Sequence, residues 1–166
     1  MELVSEVRGN CVMNSTRHVV PISSNVVIRL SMRGQFVRIL HGHNRVVDAG
    51  KSLLAQLVEL SGGSPPPAPG WIAFGDGAAD IDDTQLALSG TEHARNALSS
   101  TTRINNDLTY SAVFVHPGGA TPTQVVNEMG IFNAAVAGTM LARFLVQQFQ
   151  FTDGASFTVD WTLTFG

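Results

Sequence analysis

Phe157-Thr158-Val159-Asp160-Trp161-Thr162-Leu163-Thr164-Phe165 decides the fold, because large apolar residues alternate with Thr and Asp along the whole run. Successive side chains of a strand point to opposite faces, so this spacing predicts a half-buried β-strand. Two further stretches lead into it, Asn127-Glu128-Met129-Gly130-Ile131-Phe132 and Gly138-Thr139-Met140-Leu141-Ala142-Arg143. They read as paired strands that place two charged residues, Glu128 and Arg143, in apolar company. From Thr91 onward the pattern predicts strands only, over roughly 91–103, 107–116, 124–133, 139–151 and 156–165. Asn105-Asn106-Asp107, Pro117-Gly118-Gly119 and Asp153-Gly154 separate them as turns. Short strands with such punctuation indicate an antiparallel sandwich or barrel.

Upstream, the period changes once. Residues 46–60 carry apolar positions spaced for a helical face, with Asp48 as the expected N-cap and Gly62-Gly63 as a stop. Ser64-Pro65-Pro66-Pro67-Ala68-Pro69-Gly70 then predicts a stiff extended connector, since consecutive prolines favour polyproline II. Trp71-Ile72-Ala73-Phe74-Gly75 reads as a short buried strand, followed by an acidic, solvated loop to about Gly90. Residues 25–40 predict a hairpin with Gly34 at its turn or bulge, and 1–24, broken at Pro21, an arm or short strands. The expected architecture is mainly β: an antiparallel β-sandwich over 41–166 with one α-helix near 46–60, preceded by an N-terminal arm and hairpin over 1–40. That arm is the natural attachment element, and its deletion is expected to spare the fold.

At 166 residues and 44% hydrophobic, the chain suits one domain. Charged residues are only 14%, against roughly 25% in average soluble domains, which fits a subunit covered by neighbours and equally a compact monomer with a Ser/Thr-rich surface. The net charge of −3 gives no electrostatic footprint for nucleic acid, and Arg29, Arg33, Arg38 and Arg45 read as a solvated or paired face. Cys11 is the single cysteine, so no intrachain disulfide is expected. No run reaches the ~20 apolar residues of a membrane span, and no basic segment with an apolar core opens the chain, which predicts a soluble protein without a secretion signal and without membrane insertion.

Several pieces recur in a known order. Asn44-Arg45-Val46-Val47-Asp48-Ala49-Gly50, Trp71-Ile72-Ala73-Phe74-Gly75-Asp76-Gly77, Glu92-His93-Ala94-Arg95, Asn127-Glu128-Met129-Gly130-Ile131-Phe132, Met140-Leu141-Ala142-Arg143 and Trp161-Thr162-Leu163-Thr164-Phe165 follow one another. This series, over about residues 44–166, resembles small tailed-bacteriophage structural proteins of the tail-fibre-like kind. The resemblance implies a virion component assembled in the host cytoplasm, in tail fibre, baseplate, collar or capsid decoration. It also implies a homotrimer that docks to other virion structural proteins, and allows contact with a host surface glycan.

Glu92, Arg95, Glu128 and Arg143 are the candidate site residues. Paired carboxylates can run acid/base chemistry. A carboxylate facing an arginine on the next strand, with bidentate geometry, instead makes a structural ion pair, and that is the expected role of all four. His41-Gly42-His43 offers two imidazoles without a third ligand, and Asp76, Asp80, Asp82 and Asp83 miss the spacing of a calcium loop, so no metal is expected. Asp82 or Asp83 is expected to cap a turn. Gly75-Asp76-Gly77 lacks the third glycine of a dinucleotide loop, Ser61-Gly62-Gly63-Ser64 is no nucleophile elbow, and neither catalytic residue nor cofactor is expected. His116 reads as the end of a strand. Trp71, Trp161 and Tyr110 could stack on sugars, but their alternating apolar neighbours place them in the core.

Overall fold

The computed structural model describes residues 22–42, 44–59 and 64–166. The expectations for 1–21, including the break at Pro21 and the lone Cys11, for His43, and for the Gly62-Gly63 stop lie outside the described residues. In chain order the elements are β1 (Ile22–Met32), β2 (Gln35–Gly42), β3 (Arg45–Val46), α1 (Asp48–Val58), β4 (Trp71–Gly75), β5 (Glu92–Ala97), β6 (Ser100–Ile104), β7 (Asp107–Val115), β8 (Gln124–Phe132), β9 (Met140–Phe151) and β10 (Ala155–Phe165). They form two five-stranded sheets, ordered β2-β1-β10-β7-β6 and β3-β9-β8-β4-β5, with every pairing antiparallel. The β-sandwich with one helix is the observed fold.

The deciding run becomes β10, the centre of the first sheet. Ala155, Phe157, Val159, Trp161 and Leu163 are buried between the sheets, and the intervening Thr and Asp side chains face outward. Phe157 is the hub of an aromatic cluster, with ring centroids 4.8 Å from Phe114, 4.9 Å from Phe151, 5.4 Å from Phe74 and 5.5 Å from Phe149. Offset and edge-on rings fill the gap between twisted sheets densely, so Phe157→Ala costs about 3–5 kcal/mol. Trp161 is fully buried, and its indole N–H donates to the Ser24 hydroxyl at 3.1 Å, which satisfies the ring's one donor. Tyr110 is buried too, and burial raises its hydroxyl pKa, whereas Trp71 is half-buried. The sugar-stacking alternative for the two buried rings fails on that geometry.

Three expectations change. The hairpin at 22–42 is not an appended arm, because β1 pairs with β10 from Ile22↔Phe165 to Met32↔Ala155 and sends Val26, Ile28 and Leu30 into the core. Its removal would expose a central strand, so the boundary near residue 40 is no domain boundary. Residues 91–103 form two strands rather than one: β5 lies in the second sheet and β6 in the first, with the chain crossing at Leu98 and Ser99. Finally, Asp48 is the first residue of the helix and not its cap. Val47 holds the cap position without a side-chain bond, while the Asp48 N–H is met by the Asp83 carbonyl at 2.8 Å. A backbone carbonyl from a folded loop replaces the capping side chain. Helix α1 lies tightly on β9, where a Cβ on Gly50 would sit 1.9 Å from the Leu141 carbonyl oxygen.

Candidate functional site

The outer face of the second sheet is covered. Val47, Ala73, Phe132 and Met140 form a small cluster there, bordered by Ala49, Trp71 and Leu88, so α1 and the β4–β5 loop (76–91) both pack on it. Beside this cluster lie Glu128 on β8 and Arg143 on β9, each fully buried. Gly130 faces Arg143 in the ladder and Glu128 faces Leu145, which makes the ion pair diagonal. The Arg143 Nε–H donates to Glu128 Oε2 at 2.6 Å.

The expected bidentate pairing does not form here, because the loop takes the other donors. Arg143 Nη1 donates to Gln85 Oε1 at 3.0 Å and to the Asp80 carbonyl at 3.3 Å. Nη2 donates to the Ala79 carbonyl at 2.9 Å and to Ser89 Oγ at 2.8 Å. All the guanidinium N–H groups are therefore used. Glu128 Oε1 accepts from the N–H groups of Gly77 at 3.0 Å and Gly90 at 2.7 Å, and Oε2 accepts from Ser89 N–H at 2.9 Å and Ser89 Oγ at 3.2 Å. Burial pushes this carboxyl up, but the N–H bonds from Ser89 and Gly90 and the charge of Arg143 outweigh it and hold the group below its ordinary value. An ionised carboxylate surrounded by donors is a poor proton carrier and a strong clamp.

The clamp explains two glycines. A Cβ on Gly77 would lie 2.2 Å from Glu128 Oε1, and one on Gly90 would lie 2.3 Å from Gly77 N. Only a bare backbone brings both N–H groups onto one carboxylate oxygen. The loop at 76–91 is thus clamped through its backbone, while its acids Asp80 and Asp82 stand in solvent as its composition suggests. Its acids serve its own shape: Asp76 Oδ1 accepts from Thr91 N–H at 2.7 Å, and Asp82 Oδ1 accepts from Thr84 N–H at 2.7 Å. Asp82 is the expected turn cap, and the Thr84 hydroxyl and N–H lower its pKa. Among the described residues no three His, Cys, Asp or Glu side chains are grouped to hold a metal.

Glu92 and Arg95 also pair, by a different route. Residues three apart on a regular strand face opposite ways. The ladder slips at Phe74 and Gly75, so that Gly75 faces Glu92 while Phe74 faces Ala94, and the bulge at His93 turns both side chains to one side. The pair is bidentate, Arg95 Nε to Glu92 Oε1 at 2.9 Å and Nη2 to Oε2 at 2.6 Å. The partners are on one strand, not on neighbouring ones as expected. Arg95 Nη1 donates to the carbonyls of Ala134 at 3.0 Å and Ala137 at 2.6 Å, and the guanidinium lies 3.7 Å from the Phe132 ring centroid. It ties the β8–β9 connection to the sheet, partly through a cation–π contact.

A third tie was not legible. His116 is buried just after β7, where Nδ1 accepts from Gly118 N–H at 3.0 Å and Nε2 faces the Pro122 carbonyl at 3.3 Å. These bonds assign the neutral tautomer with the proton on Nε2. The ring packs edge-on to Phe151 at 5.1 Å and pins the 117–123 loop. Ser89, Gln85, Gly77 and Gly90 were likewise missed, and the only sequence signal for them was two glycines flanking an acidic stretch.

No protein-family model matches the chain, and comparison with curated proteins and with solved structures finds no match. No helix among the described residues is long and apolar enough to cross a membrane.

Proposed function

We propose that this protein is a noncatalytic structural subunit of a tailed-phage virion, of tail-fibre, baseplate or collar type, which works by self-association and by docking to another virion protein. One observation carries the reading. Glu92, Arg95, Glu128 and Arg143, four of the charged residues of the phage-like series, are spent on fixing loops to a rigid sandwich: two clamped carboxylates, and two arginines whose donors go to carbonyls and side chains of this same chain. A residue set used this way makes a stiff part for an assembly. The low charge content fits a surface that neighbours cover.

Quantitative mass spectrometry of purified particles tests the proposal. A few copies per particle support the tail assignment, and hundreds of copies support the alternative of a capsid decoration protein. Absence from particles, together with binding of the isolated protein to host envelope, would replace both with a host-glycan-binding module.

A further inference from the structure

We propose that helix α1 and the 76–91 loop form one cooperative cover, which opens as a unit off the outer face of the second sheet while the sandwich beneath stays folded. The inference goes beyond the assembly role and does not depend on it.

Helix α1 cannot stand by itself. Its eleven residues fall short of the ~12–15 at which an isolated helix becomes even marginal in water, and only Gly50 and Leu53 are buried. The cap residue, Val47, offers no side-chain acceptor, so the Asp48 N–H takes the Asp83 carbonyl at 2.8 Å. Lys51, in the same turn, reaches Asp83 Oδ2 at 3.5 Å. The bond from Val47 N–H to the Leu141 carbonyl at 3.2 Å seats the residue before the helix without capping it.

Asp83 is in turn held from the sheet. Arg143 of β9 donates to the Ala79 and Asp80 carbonyls on one side of it and to Gln85 Oε1 on the other. Arg45 of β3 adds a bond to the Ile81 carbonyl at 3.4 Å. Arg143 is itself fixed by Glu128, which also grips the loop at Gly77, Ser89 and Gly90. The ties therefore run in series from Glu128 to Arg143, through residues 79–85, to the first amide of the helix. Releasing the carboxylate loosens the loop and uncaps the helix together.

Packing follows the same division. The main core is drawn from the strands and takes only Leu54 from the helix. The cover packs instead on the separate cluster of Ala73, Phe132 and Met140, to which it brings Ala49 and Leu88, with Val47 at the helix start. Lifting helix and loop uncovers that small cluster and leaves the core between the sheets nearly whole. This is the condition for an opening below the global one.

Native-state hydrogen exchange and peroxide oxidation of the full chain test this. Glu128→Gln is expected to speed exchange at helix amides 53–57 by the same factor as at Gly77, Ser89 and Gly90, about tenfold or more, with β1 and β10 amides unchanged. Met140, fully buried under the cover, should then oxidise faster, whereas Met129, fully buried in the main core, should not. Asp48→Pro removes the amide that binds Asp83 and keeps the helix, since proline suits the first helical position and Val47 is already extended. Added to Glu128→Gln, it should leave the loop loosened and return the helix amides to the rate of Asp48→Pro alone. If Glu128→Gln does not fold, Gln85→Ala cuts one arginine contact and is read the same way with a smaller factor. Helix exchange unmoved in the folded variant, equal acceleration in β1 and β10, or Met129 oxidising along with Met140 overturns the inference. So does a helix that still follows the loop once Asp48→Pro has cut the tie.

Discussion

On the outer face of the second sheet, Glu128 and Arg143 are buried under a folded loop with every donor of the arginine spent. On the outer face of the first sheet, an ion pair of Arg29 with Asp160 stands half in solvent, with relative side-chain exposures of 50% and 23%. Both are arginine–carboxylate contacts on antiparallel strands, yet they do different work. Burial decides the difference. Removing one partner of a buried pair leaves an uncompensated charge out of water, whereas an exposed pair is screened and its members are rehydrated when parted. The covered face is held by its charges, and the open face only tidies them away.

The largest effect expected from this contrast is at Glu128. Glu128→Ala should destabilise the protein by about 3–5 kcal/mol, and Arg143→Ala by a similar amount, in urea unfolding at neutral pH. The double variant should lose less than the sum of the two, since each single change already breaks the shared network. Additive losses would mean that the two side chains act independently. Arg95→Ala comes next, at about 1–3 kcal/mol, because it leaves Glu92 unpaired and two carbonyls of the β8–β9 connection unmet. Faster hydrogen exchange at Thr139 N–H, which bonds Asn133 Oδ1 at 2.7 Å, would report the loosening locally.

Acid offers a graded version of the same test. The Glu128 carboxyl is held below its ordinary value of 4.5 in the folded state. The folded protein binds this proton less readily than the unfolded chain does, so the contribution is complete above the unfolded pKa and lost as pH falls through the folded one. Wild type should accordingly lose stability below about pH 4.5 more steeply than Glu128→Gln, which has no such proton to bind. Parallel pH profiles would show that the clamp does not depend on ionised Glu128. The smallest effect is expected on the open face, where Arg29→Ala should cost at most about 1 kcal/mol and the cost should shrink further in high salt.

The parts of the fold that were readable are those set by neighbours in sequence. The alternation at 157–165 gave β10 its inward set, and Arg33-Gly34 is a two-residue turn with φ of 48° and 77°, as a hairpin of this hand requires. Glu128 and Arg143 were recognised as partners because each is a lone charge among apolar strand residues. What they hold was not readable. The loop at 76–91 meets Glu128 between 38 and 51 residues downstream, and its acidic composition describes its solvent side while its backbone N–H groups do the binding. The break at Leu98 and Ser99 escaped for a related reason, since no Gly, Pro, Asn or Asp stands at the point where the chain changes sheet. Glu92 and Arg95 could not be set on one face without the bulge at His93, which depends on the register of β4 and not on β5 alone.

Native-state hydrogen exchange at the amides of Gly77, Ser89 and Gly90, in wild type and in Glu128→Gln, tests the clamp most directly. The account predicts sheet-like protection of all three in wild type and its loss in the variant, with β1 and β10 amides unchanged. Fast exchange of these amides in the wild type, or protection that survives the substitution, would contradict it.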